Sequence, residues 1–83
     1  MAKIVATAEE IRAEIGRRIA ADPLDQCRDC EAPMPVPIDR RDGVNWSVDH
    51  FPKLVPGCTA FMMRILSDMM LAYDLAEPPR DRR

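Results

Sequence analysis

The segment Cys58 to Ala76 constrains this chain most. It reads as a helix, preceded by Pro56-Gly57 and ended by Pro78-Pro79. At about 100° per residue, its apolar side chains fill one wide arc. In angular order these are Phe61, Ala72, Ile65, Cys58, Met69, Met62, Tyr73, Leu66, Met70 and Met63, with only Thr59 interrupting. Leu71 and Leu75 break the opposite polar strip. A helix apolar over more than half its circumference needs cover on several sides. The chain offers 83 residues for that cover, enough for one core and not for two. The expectation is one domain over residues 1–77 and a disordered tail over 78–83.

A second helix is legible from Thr7 to Ala21. Thr7 and Glu10 have capping-box spacing. Ala8, Ile11, Ile15 and Ile19 recur at three- and four-residue intervals, giving one narrow apolar stripe. Asp22-Pro23 stops it, because a residue before proline avoids helical dihedrals. The segment Leu24 to Pro33 reads as a loop carrying Cys27 and Cys30.

Between the helices lies a hairpin. Pro33, Pro35 and Pro37 alternate, and a proline cannot donate to a ladder, so this strand belongs at a sheet edge. Asp42-Gly43 marks the turn. A loop of Arg41-Asp42-Gly43 would pair Ile38 with Trp46, Val36 with Val48 and Met34 with His50, gathering the apolar residues on one face. A slip by one residue flips every side chain, so this register is preferred over the alternative that pairs Arg41 with Val44. The fold class expected is α+β, in the order α-β-β-α, with two helices packed on one face of the hairpin.

One helix stripe and one hairpin face cover part of the last helix. Phe61, Met62, Ile65, Met69 and Tyr73 are expected inside. Met63, Leu66, Met70 and Leu71 are expected to stay exposed as a partner-binding edge, since contiguous apolar patches mark interfaces. The chain holds six methionines, and four stand in this helix, where flexible thioethers suit an adaptable surface. The simplest partner is a second copy, because two-fold dimers dominate soluble oligomers; another protein is the alternative.

Other chemistry has weaker support. Cys27 and Cys30 form one Cys-x-x-Cys knuckle, and with His50 and Cys58 they would make a Cys3His set suited to tetrahedral zinc. The hairpin brings the two loops carrying them to the same end. A second knuckle is missing, and no glycine eases the turn after Cys30, so no cofactor is the first expectation and zinc the second. The redox reading fails locally, because Pro33 and Pro35 follow Cys30 and deny the motif a helix.

No Gly-rich phosphate loop, nucleophile elbow or paired-histidine motif occurs, so the chain does not read as an enzyme. Net charge is −2, which gives no pull toward nucleic acid or anionic membrane. Arg40, Arg41 and the tail are its cationic clusters, and they make a nucleic-acid-binding regulator only a distant third reading. The opening Met1 to Ala6 is too short for a signal peptide, and no apolar run approaches the ~20 residues that span a bilayer. Cytoplasmic residence is then the default, with the three cysteines held as thiols or metal thiolates rather than disulfides. The function expected is a non-catalytic cytoplasmic interaction module that self-associates through its Met-rich helix, the alternative being a zinc-stabilised adaptor.

Overall fold

The computed structural model describes residues 3–21 and 27–76. The expected helix stops at Asp22-Pro23 and Pro78-Pro79, the start of the first loop and the tail 78–83 lie outside the described residues.

The fold is α+β, and its order is β-α-β-β-α-β. Strand β1 (Ile4–Ala6) leads into helix α1 (Ala8–Ala20). Strands β2 (Pro35–Arg41) and β3 (Val44–Val48) make the antiparallel hairpin. Helix α2 (Thr59–Ala72) runs directly into strand β4 (Tyr73–Leu75). β1 and β4 pair in parallel, Ile4 with Tyr73, Val5 with Asp74 and Ala6 with Leu75. This second small sheet extends the expected α-β-β-α order at both ends.

Helix α1 follows its sequence closely. Thr7 caps it, its Oγ1 accepting from Glu10 N at 3.1 Å while Glu10 Oε1 accepts from Thr7 N at 2.9 Å. Two of the four orphan donors of a helix start are thereby satisfied. Ile11, Ile15 and Ile19 are buried. They pack with Trp46, Met62 and Met69 into one core that also contains Ala6, Ile65, Leu66 and Leu75.

The hairpin corrects the expected register. Asp42 and Gly43 both adopt positive φ, 55° and 79°, so the turn has only these two central residues and Arg41 pairs with Val44. Positive φ at both positions gives the primed turn whose twist matches the strands, and Asp-Gly favours it. Further along, Pro37 pairs with Trp46, Val36 with Ser47 and Pro35 with Val48. The irregularity between Pro37 and Arg41 absorbs the shift, as a bulge does. Consequently Pro33 and Pro35 turn inward, while Ile38 and Met34 are exposed. A proline has no N–H to satisfy, so burying it costs no hydrogen bond. Trp46 keeps its expected place and is fully buried.

Helix α2 ends at Ala72, not at Ala76. At Tyr73 the backbone becomes extended, φ −128° and ψ 142°. The chain gains the ladder to β1, and Lys3 Nζ donates to Met70 O at 2.8 Å, satisfying a carbonyl in the last turn of α2.

Candidate functional site

Three regions of the described chain concentrate chemistry. The first is where the two loops meet. Cys27 and Cys58 are joined in a disulfide with Cα atoms 5.8 Å apart. Cys30 N donates to Cys27 O at 3.1 Å, closing a turn over the Cys-x-x-Cys motif. The Cys30 thiol is free and buried, and its Sγ accepts from Val55 N at 3.4 Å. Glu31 N donates to Lys53 O at 2.9 Å, and Cys58 N to Val55 O at 3.0 Å. The loops do leave one end of the hairpin together, as the sequence suggested.

The sulfur chemistry differs from expectation. Cys27, Cys30 and Cys58 are buried side chains of the core, whereas His50 is exposed. Two of the four expected zinc ligands are spent on each other. Among the described residues, no group of three or more His, Cys, Asp or Glu side chains could hold a metal ion. The expectation of reduced thiols is likewise corrected, because burial beside each other brings Cys27 and Cys58 within bonding range.

The second region is a charged pole where β1, β4 and the hairpin turn converge. Lys3 Nζ donates to Gly43 O and lies 3.7 Å from Asp74 Oδ1. Arg40, in the irregular stretch of β2, donates through Nη1 to Gly43 O at 3.0 Å. Its guanidinium also meets both Asp74 oxygens, at 3.4 and 3.3 Å. Two cations around one carboxylate and one carbonyl tie the hairpin tip to the small sheet. Arg40 makes these contacts from the surface, its side chain 53% exposed, and Arg41 is exposed as well.

The third region is the small sheet itself, and its two edges are unlike. Parallel pairing with Ala76 N donating to Ala6 O at 2.8 Å turns the backbone groups of Ile4 and Ala6 toward β4. The alternate residues Tyr73 and Leu75 then face away from β1. Side chains of β3 satisfy that outer edge. Asn45 Nδ2 donates to Leu75 O at 3.0 Å and Asn45 Oδ1 accepts from Leu75 N at 2.9 Å, so one amide imitates a strand. Trp46 Nε1 donates to Tyr73 O at 3.1 Å. Asn45 is therefore a structural residue. On the other side, Val5 turns its N–H and C=O away from β4, and β1 has no second strand partner among the described residues.

The expected partner-binding residues divide. Leu66 is 4% exposed and belongs to the core, and Met70 is partly buried against it. Met63 is 41% and Leu71 72% exposed. Cover that the sequence did not reveal comes from Phe51, Leu54 and Val55 of the second loop, which pack on the core. Besides Leu71, the most exposed large apolar side chains among the described residues are Ile4, 58%, and Val5, 65%. No periodic pattern marks a strand of three residues, so these two escaped sequence reasoning. Comparison with protein-family models, curated proteins and solved structures finds no match to this chain.

Proposed function

We propose that this chain is a non-catalytic interaction module that self-associates, with its working surface at β1 and the end of α2. One observation supports the reading above others. The three most exposed large apolar residues among those described, Ile4, Val5 and Leu71, come from neighbouring stretches of the fold. Leu71 stands two residues before Tyr73, the strand partner of Ile4. An apolar edge strand left open is a liability that proteins blunt unless it is used. The working surface thus moves from the outer edge of α2 toward β1, with Leu71 kept and Leu66 released to the core.

The non-catalytic part rests on residue chemistry. A thiol nucleophile needs a positioned base, but Cys30 is buried with its sulfur toward the Val55 amide and the one histidine, His50, is exposed. No helix among the described residues is long and apolar enough to cross a membrane. Cytoplasmic residence belongs to the proposal only with Cys27 and Cys58 reduced, since cytosolic reductants keep such thiols open. Alkylation in cells followed by mass spectrometry reads that state directly.

Sedimentation velocity from about 10 μM to about 1 mM, the range of weak association, tests self-association. A concentration-dependent shift from one to two copies is expected, and Leu71→Glu should weaken it. A monomer at every concentration overturns the reading.

A further inference from the structure

The open edge of β1 also says how two copies would meet. This inference rests on the self-association proposed above and gives it a geometry. We propose that two chains join antiparallel through β1 about a two-fold axis at Val5, forming one sheet ordered β4-β1 and, across the axis, the partner's β1-β4.

The backbone selects the axis. Of the three residues of β1, Ile4 and Ala6 spend their groups on β4, and Val5 alone presents both N–H and C=O outward. The far edge of β4 is closed by Asn45 and Trp46, so addition is possible on the β1 side only. A second copy added head-to-tail would leave another open edge and propagate, whereas a two-fold axis closes the assembly. With the axis at Val5, each Val5 N–H donates to the C=O of the partner's Val5, the hydrogen-bonded pair of an antiparallel ladder. Ile4 then lies beside the partner's Ala6.

The helix above the edge is self-complementary in the same sense. A groove of about 350 Å³ runs beside Val5, walled by Glu10, Ala13, Glu14 and Arg17 of α1. A two-fold axis perpendicular to the sheet lays the partner's α1 antiparallel along that wall. Ala13 is exposed and small, which permits close approach. Glu10 and Arg17 are seven residues apart and so share a helix face. Their midpoint lies between Ala13 and Glu14, so the axis sets Glu10 opposite the partner's Arg17, and Arg17 opposite the partner's Glu10. Arg17 donates to Glu14 within the chain from a side chain 71% exposed, and turning to the partner exchanges that pair while Glu14 keeps Arg18 Nε at 3.0 Å.

The test is sedimentation velocity on the full chain, with thermal melts to follow folding. Val5→Pro removes the outward N–H without touching the ladder to β4, and should raise the dimer Kd at least tenfold. Arg17→Glu alone should raise it about fivefold, on the scale of exposed charge pairs in two symmetric copies. Adding Glu10→Arg to Arg17→Glu should restore the dimer. That recovery cannot come from a folding defect, because losing Glu10 from the cap can only destabilise. A wild-type chain that stays monomeric overturns both proposals. A dimer that survives Val5→Pro and ignores the charge swap, yet fails on Leu71→Glu or Met63→Glu, overturns this geometry and leaves self-association standing.

Discussion

Breaking the Cys27–Cys58 bond is the perturbation with the largest calculable effect. It joins positions 31 residues apart. Closing a loop of that length in the unfolded chain removes entropy equivalent to about 3–4 kcal/mol. A domain of 83 residues, at ~0.05–0.15 kcal/mol per residue, has about 4–12 kcal/mol in total. Reduction should therefore remove about a quarter or more of the stability and leave a marginal fold. The assay is urea unfolding followed by Trp46, the single tryptophan, whose buried indole becomes solvated on unfolding. With a urea slope of about 1–1.5 kcal/mol per molar for a small domain, the midpoint should fall by roughly 2–4 M on full reduction. Cys27→Ala with Cys58→Ala should reproduce the reduced protein and lose its response to reductant. Cys30→Ser should keep that response, because Cys30 is outside the bond. A midpoint that moves by less than about 0.5 M on full reduction, or a response abolished by Cys30→Ser, would refute the reasoning.

Three further outcomes are expected. Asn45→Ala should destabilise by about 2–3 kcal/mol, since it orphans both backbone groups of Leu75. Asn45→Asp should be no milder, because a carboxylate then faces Leu75 O; loss of hydrogen-exchange protection at the Leu75 amide locates the damage. Hydrogen bonds from Arg17, then Arg18, hold the Glu14 carboxyl below its usual 4.5. A carboxylate lowered on folding stabilises above its unfolded pKa, and that stabilisation is lost as pH falls through the folded value. Glu14→Gln should therefore cost under about 1 kcal/mol near pH 7, the scale of surface pairs, and nothing at about pH 2, as denaturation at the two pH values would read. Thr7→Ala should cost about 1 kcal/mol by removing the cap of α1, measured as a lowered urea midpoint with an unchanged slope.

Much of the fold was legible because its causes are local. Thr7 and Glu10 cap α1 from three residues apart, and isoleucines at helical spacing fix the buried face. The inward position of Trp46 followed from alternation along β3. The hairpin turn was legible as Asp42-Gly43, but two local signals competed over register. Face pattern favoured a loop including Arg41, while the two positive-φ residues favour a tighter one, and an irregularity at residues 38–40 lets the turn prevail. The candidate site was legible only in part. Leu71 was placed on the surface correctly, but Leu66 was not, because the loop holding Phe51, Leu54 and Val55 carries no periodicity to reveal what it covers.

The sequence by itself determined an α+β chain with a capped first helix, a proline-rich edge strand and a last helix too apolar to stand alone. Tertiary structure decided what no short window can encode. Three cysteines allow three pairings, and only proximity in the fold selects Cys27 with Cys58. Strands β1 and β4 lie at opposite ends of the chain, each three residues long, so neither has a pattern of its own and each exists because the other is there. Their pairing turns Val5 outward and lets Asn45 and Trp46 close the far side. The open edge of β1 is thus a product of contacts across the whole chain.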